Sequence, residues 1–169
     1  MILGFIGGKL TKVNIRIDTA KQLLILSQEG CKSIFYSVST AKMGLGELSG
    51  SYKTPRGKHI IRAKIGNGVA LNGVFVGRRF TNEIFSKHLL EMFPDRDWIL
   101  SRILWLSGIE VGRNRLGGVD TMRRYIYIHG TPDSEPMGVP RSHGCIRMTN
   151  EDIIDLFERV PLGSSVEIT

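Results

Sequence analysis

YIYIHG at residues 125–130 and RSHGCIRM at residues 141–148 are the two stretches that decide the interpretation of this chain. The first alternates isoleucines with aromatic and imidazole side chains, and this predicts a strand from Arg123 to His129 with the imidazole near its end. Cys145 follows His129 by sixteen residues and comes directly after a His-Gly pair. A tight loop can therefore bring the thiol and an imidazole together.

That combination is typical of an activated nucleophile. A thiol attacks well when a neighbouring base or positive charge lowers its pKa, and we expect such an effect here from the nearby side chains of His129, His143, Arg141 and Arg147. Gly144 leaves the backbone free to approach a substrate carbonyl. Its N–H and that of Cys145 are candidates for an oxyanion hole.

Length and composition set limits on the rest. The chain has 169 residues, 41% of them hydrophobic and 23% charged, which predicts a single globular domain over residues 1–169. The net charge of +7 favours an anionic partner, which could be nucleic acid, a membrane surface or a substrate rich in carboxylates. No groove-reading motif accompanies the charge and no apolar run reaches about 18 residues, so we expect neither nucleic-acid binding nor membrane insertion.

The chain begins with an apolar segment over residues 1–8 that lacks the basic region and cleavage site of an export signal. A chain native from Met1 is expected in the cytoplasm, and one from which an export signal has been removed in the periplasm. The two cysteines do not make a disulfide framework. We interpret Cys31, in a turn with no histidine near it, as an inert residue at a strand edge.

The pattern along the chain is mainly β. Alternation over residues 12–18 predicts a first strand, residues 22–26 and 33–39 a hairpin, and residues 59–65 and 74–76 further strands. Asn82 in a capping position, followed by apolar residues at helical spacing, predicts a helix that Pro94 ends. A second helix is predicted from Asp95 to Gly108, and together the two form a helical region at about 82–108. The chain should close with a helix capped by Thr149 and a strand over residues 165–168.

Three hypotheses compete for the two histidines and Cys145. They could fill the core, but the charges in the surrounding loop argue against that. They could bind zinc, since His129, His143 and Cys145 are acceptable ligands, although no H-E-x-x-H or paired C-x-x-C motif supports a metal site. They could instead form a nucleophilic cysteine with a histidine base.

The third hypothesis is strengthened by a resemblance. His129, with its sixteen-residue spacing to Cys145 in SHGCIR at residues 142–147, resembles the signature of the L,D-transpeptidase (YkuD-type) family. The strand pattern from Lys12, the segment 54–57 and the closing helix and strand are also similar to that catalytic domain. The resemblance implies a mainly β, mixed sandwich or barrel-like domain with a helical insertion at about 82–108, acting on peptidoglycan stem peptides or muropeptides without metal or organic cofactor.

The resemblance also implies roles for individual residues. Cys145 would attack the carbonyl between meso-diaminopimelate and the terminal D-Ala, and His129, oriented by the Gly130 carbonyl, would be the base. Ser142 and His143 would shape the loop, and Gly144 would serve the oxyanion. The candidates for substrate binding are Arg147, Arg141 and Tyr127.

Two outcomes follow once the acyl-enzyme has formed. Water gives L,D-carboxypeptidase activity, and an amine gives 3-3 cross-links in the periplasm. Because no export signal, membrane anchor or wall-binding module is visible, we expect hydrolysis. The resemblance further predicts acylation of Cys145 by a carbapenem.

Overall fold

The computed structural model describes residues 12–169, so the apolar segment 1–8 and its interpretation lie outside the described residues. Ten strands of this part of the chain form one curled sheet. They are β1 (Val13–Asp18), β2 (Leu23–Gln28), β3 (Ile34–Ser37), β4 (Gly57–Ile65), β5 (Gly73–Val76), β6 (Arg79–Ile84), β7 (Ile99–Gly108), β8 (Tyr127–Gly130), β9 (Ile146–Met148) and β10 (Ser165–Ile168). The mainly β prediction is confirmed.

The main path of the sheet runs β3-β2-β1-β10-β4-β7-β5-β6, and β8 pairs with β7 and β9. Strands β2 and β3 form the predicted hairpin, and the predicted first strand, β1, pairs antiparallel with β2. Their alternating side chains place one apolar face on the core. The last strand, β10, runs parallel to β1 and antiparallel to β4. The end of the chain therefore lies in the middle of the sheet.

The region 82–108 corrects the sequence prediction. Two helices were expected there, but the structure has β6, a short helix α1 (Lys87–Met92) and the ten-residue strand β7. Ser86, rather than Asn82, caps α1, because its side chain accepts a hydrogen bond from the Leu89 N–H. The helical insertion is thus reduced to one helix of six residues, fewer than two turns.

Strand β7 was not predicted as a strand because it lies in the interior of the sheet. It pairs with β4, β5 and β8, and residues 100–104 are all buried, so no polar face alternates with an apolar one. Ser101 adds a backbone irregularity with φ of +63°, where the pairing with β8 shifts register. The resulting apolar run satisfies helical spacing by chance. Trp98, just before the strand, is buried.

The C-terminal helix α2 (Asn150–Arg159) confirms its prediction. Thr149 caps it by accepting a hydrogen bond from the Asp152 N–H, and Ile153, Leu156 and Phe157 are buried. The helix packs against β7 and β8.

Strand β8 begins at Tyr127, four residues later than predicted, because residues 121–125 form turns. In residues 12–169, neither helix has the length and apolarity that a membrane span requires.

Candidate active site

The site is built on the parallel pair β8 and β9. His129 of β8 lies opposite Arg147 of β9, and Ile128 lies opposite Ile146. The two isoleucines are fully buried in the main core. Side chains alternate across a strand, so His129 and Arg147 lie on the other face, and Cys145, two residues before Arg147, is directed to that same side. The structure therefore brings the predicted thiol and imidazole to one face of the sheet.

Backbone groups of the segment before and within β8 hold the Cys145 thiol. Its Sγ accepts from the Tyr127 N–H at 3.4 Å and donates to the Tyr125 carbonyl at 3.4 Å. Burial raises the pKa of the thiol to about 12, against the lowering effect of the Tyr127 N–H, Arg147 and Arg124. The expectation of a lowered thiol pKa is thus wrong for the free protein, because desolvation of the thiolate outweighs the nearby positive charges.

His129 is buried and oriented by its own strand. Its Nδ1 lies 2.7 Å from the Gly130 carbonyl oxygen, the contact that the family resemblance implied. A carbonyl only accepts, so Nδ1 carries the proton and Nε2 is left as the basic nitrogen. Burial lowers the pKa of His129, while Asp97 and the Gly130 carbonyl raise it. At neutral pH the ring is therefore an uncharged base.

The loop before β9 is held by hydrogen bonds from within and from outside. Ser142 Oγ donates to the Cys145 carbonyl at 2.5 Å and accepts from the Gly144 N–H at 3.2 Å. Thr54 Oγ1 donates to the Gly144 carbonyl at 2.9 Å. The Gly144 N–H is thus engaged in the free protein, and its oxyanion role, which stays a prediction, requires that bond to be exchanged.

The backbone conformation at position 144 requires glycine. Its φ is +135°, and a Cβ there would lie 3.1 Å from Ile126 Cδ1 and 3.4 Å from the Lys53 carbonyl oxygen. Side-chain-bearing residues rarely adopt this conformation. The loop can therefore place Cys145 against β8 only with glycine before it.

Arg147 is the charged centre of the site. Its guanidinium lies 3.1 Å from Asp97 Oδ1 and 3.6 Å from Glu135 Oε2, and only 12% of its side chain is exposed. The two carboxylates come from the segment before β7 and from the loop after β8. Arg147 therefore connects both walls of the site beside His129.

Two adjoining pockets share Asp97, His143 and Arg147. The inner pocket, of about 180 Å³, also contains Cys145, His129 and Ser142. The outer one, of about 750 Å³, includes Lys42, Glu135 and Arg141. Together they form a passage from solvent to the thiol, and both signs of charge line it.

The remaining predicted residues are placed differently. His143 is exposed and its ring lies edge-on to Tyr52, with 6.2 Å between the centroids, while Arg141 lies farther out on the rim. Tyr127 is buried at 5% exposure and packs in a cluster with Cys145, so it does not present a surface to substrate. Tyr125, exposed by 53%, lines the inner pocket instead.

Sequence reasoning missed Asp97, Glu135 and Arg124. Asp97 and Glu135 stand in irregular segments without a motif, and only the fold brings them to Arg147. Arg124 was assigned to a strand, yet its guanidinium donates to the carbonyls of Gly46, Glu47 and Lys53. The Arg-Arg pair before an alternating stretch was the one available signal.

The zinc hypothesis has no ligand set in the part of the chain that the structure describes. There, no three His, Cys, Asp or Glu side chains are close enough together to hold a metal ion. His143 is exposed on the loop, whereas His129 is enclosed beside Cys145. The geometry favours the thiol–imidazole hypothesis.

Solved structures of L,D-transpeptidases superpose on this chain and share its fold. L,D-transpeptidase 3 from Mycobacterium tuberculosis superposes with a TM-score of 0.58 at 16% identity, over 94% of this chain and 61% of that chain. One structure of that protein is in complex with a faropenem-derived adduct. Another similar structure, of the L,D-transpeptidase LdtMt1, is in complex with imipenem, with a TM-score of 0.55 at 16% identity over 94% of this chain and 59% of that one.

Sequence comparison is more specific. The probable L,D-transpeptidase YbiS of Escherichia coli is 50% identical over 44 residues, which are 26% of this chain and 14% of YbiS. The putative L,D-transpeptidase YqjB of Bacillus subtilis is 48% identical over 42 residues, 25% of this chain and 24% of YqjB. These matches span a quarter or less of the relatives' length. The model of the L,D-transpeptidase catalytic domain, YkuD, however, matches residues 12–168. The chain therefore belongs to the YkuD family of L,D-transpeptidase catalytic domains.

Proposed function

We propose that this protein cleaves the L,D bond between meso-diaminopimelate and the terminal D-Ala of peptidoglycan stem tetrapeptides, with Cys145 as nucleophile and His129 as base. The observation that carries the proposal is the half-buried thiol on the same strand-pair face as an imidazole whose Nδ1 is fixed by the Gly130 carbonyl. This leaves Nε2 free to accept a proton.

Acylation of Cys145 proceeds in two steps. Cys145 Sγ forms a bond to the acyl carbon as its proton passes to His129 Nε2. The carbon–nitrogen bond then breaks, and the imidazolium gives that proton to the leaving D-Ala amine. The product is a thioester with the remaining tripeptide. Both Cys145 and His129 start uncharged, so the proton transfer accompanies the attack.

Substrate charge matches the passage to the thiol. The stem peptide carries carboxylates on D-Ala and on diaminopimelate, and Arg147, Arg141 and Lys42 line the outer pocket. Arg147 is the deepest of these cations and already binds carboxylates, those of Asp97 and Glu135. A substrate carboxylate that competes with these partners would be recognised by the same geometry.

We further propose water as the second substrate, which gives L,D-carboxypeptidase activity. The wide outer pocket, which opens onto the inner one, supports this because it admits water to the acyl carbon. An amine acceptor, leading to a 3-3 cross-link, is the alternative. Asp95 and Glu135 favour it, since both carboxylates line the outer pocket and attract an ammonium group.

One assay separates these outcomes. The protein is incubated with a disaccharide tetrapeptide, with and without an amine acceptor, and the products are followed by mass spectrometry. We expect release of D-Ala with addition of water, loss of that release in Cys145→Ala, and nearly full activity in Cys31→Ala, because Cys31 is exposed and lies outside both pockets. Equal activity of the two variants would refute the assignment of the nucleophile.

A carbapenem provides a second readout that needs no peptide. The related structures with imipenem and with a faropenem-derived adduct support the proposal that such compounds acylate this thiol too. We expect the intact protein to gain the mass of one drug molecule at Cys145. Absence of any adduct at large drug excess would show that the thiol does not attack acyl carbons.

A further inference from the structure

The β5–β6 hairpin carries an arginine that reaches the aromatic residues around the nucleophile. The turn is formed by Gly77 and Arg78, both with positive φ, at +54° and +67°. Such two-residue turns suit the twist of a hairpin, and their usual residues are Asn, Asp and Gly. An arginine is costly in this conformation, so its contacts must offset the strain.

Those contacts join three aromatic rings. The Arg78 guanidinium lies 4.7 Å from the ring centroid of Trp105 and 4.8 Å from that of Tyr125. It also donates to the Tyr127 hydroxyl at 3.1 Å. Trp105 contacts both tyrosine rings, with centroids 6.1 and 6.0 Å apart. Arg78 therefore fastens the side chains of Tyr125 and Tyr127 to β7, the strand that carries Trp105.

The same two tyrosines hold the nucleophile through their backbone. The Tyr125 carbonyl accepts from Cys145 Sγ and the Tyr127 N–H donates to it. Tyr125 has a φ of +57°, which a side-chain-bearing residue keeps only when its surroundings hold it there. Displacement of either residue would change the burial of the thiol and the direction in which it faces.

We infer that Arg78 is a positioning residue for Cys145, acting through the ring contacts and backbone groups of Tyr125 and Tyr127. The inference deepens the proposed function and rests on it for the identity of the nucleophile. Arg78 itself lines neither pocket, so it does not act by touching substrate. Its effect is on the rate of attack rather than on binding.

The test compares Arg78→Gln with Arg79→Gln. Arg79 is the exposed next residue, so its replacement is a matched loss of charge at the same hairpin. We expect Arg78→Gln to lower kcat for D-Ala release about tenfold with little change in KM, because one hydrogen bond and two cation–π contacts are lost. Arg78→Lys should recover part of the loss, since it keeps the charge over the rings.

A second readout needs no peptide substrate. In a Cys31→Ala background, which removes the exposed second thiol, alkylation of Cys145 by iodoacetamide, followed by intact mass well below each melting temperature, should become faster in Arg78→Gln. Loosening the two tyrosines exposes the thiol, and burial is the main cause of its raised pKa. Tyr127→Phe, which removes only the hydroxyl acceptor, should shift both readouts in the same directions by less.

The outcomes are distinct. Lower kcat with faster alkylation in Arg78→Gln alone, at the folded fraction of the wild-type protein by circular dichroism, supports the inference. Equal values in Arg78→Gln and Arg79→Gln overturn it, and so does a fall of both rates, because a loosened thiol must be alkylated faster. If the wild-type protein alkylates at Cys145 but releases no D-Ala, the proposed function fails while the alkylation comparison still decides the role of Arg78.

Discussion

Arg124 is expected to couple the stability of the loop at 46–53 to that of the whole domain. The guanidinium donates to the carbonyls of Lys53 at 2.6 Å, Glu47 at 2.8 Å and Gly46 at 3.1 Å. A fourth contact, to Ser51 Oγ at 3.5 Å, is too long to count for much. Arg124 thus ties the loop at 46–53 to the turn that leads into β8.

The magnitude follows from these bonds. Each hydrogen bond from a charged donor contributes about 1.5–3 kcal/mol net, but the loop carbonyls regain water once the loop opens, so the three do not add fully. We expect Arg124→Met, which keeps the apolar stem, to lower the free energy of unfolding by about 3 kcal/mol. For a domain of this size that lowers Tm by roughly 6–12 °C.

The measurement is thermal and urea unfolding followed by circular dichroism. Arg123→Met is the control, because Arg123 is the exposed preceding residue in the same turn. Arg124→Lys separates charge from geometry, since one ammonium cannot reach all three carbonyls in the manner of a planar fork. If Arg124→Met and Arg123→Met unfold within about 0.5 kcal/mol of each other, the loop is not held by this guanidinium.

Two further predictions concern acid and backbone strain. Burial lowers the pKa of His59 to about 4, so the unfolded chain binds the proton first as pH falls. The contribution of neutral His59 to the free energy of unfolding should be fully present above about pH 6.5 and should fall by up to about 3 kcal/mol toward pH 4. The free energy of unfolding, measured across this range, should therefore decline less steeply in His59→Asn. An unchanged slope would contradict the assignment of this decline to His59. Gly144→Ala should lower stability by about 1–3 kcal/mol and abolish most D-Ala release, because φ is +135° and Ile126 is close. Gly118→Ala, where a Cβ has open space, is the control, and equal behaviour of the two in melting and turnover would show that the loop tolerates a side chain.

The parts of the fold that could be predicted are those in which one face of an element meets water. Strand β1 alternates between buried and exposed positions, and α2 combines a Thr149 cap with an apolar stripe. Strand β7 lacks such contrast because neighbouring strands and the core enclose it, so its side chains carry no period of two. The helical interpretation of residues 95–108 failed for that reason.

The site shows the same division. The proximity of Cys145 to His129 could be predicted, because the alternating strand and the His-Gly-Cys loop are close in sequence. Asp97 could not, since it reaches Arg147 only after β7 has been placed beside β8. The direction of the shift in the thiol pKa could not be predicted either. Nearby cations are visible in the residue order, whereas burial of the thiol is a property of the packed sheet.

Asp97 has opposite effects on the two reacting groups, and these effects indicate when it acts. Its negative charge raises the pKa of His129, which favours the imidazolium, and raises that of Cys145, which disfavours the thiolate. In the free protein both groups are uncharged, so Asp97 changes little. In the proposed reaction, once Cys145 Sγ has bonded to the acyl carbon, the sulfur still carries no charge while His129 holds the proton. Asp97 would then stabilise the imidazolium at the stage when it protonates the departing D-Ala amine.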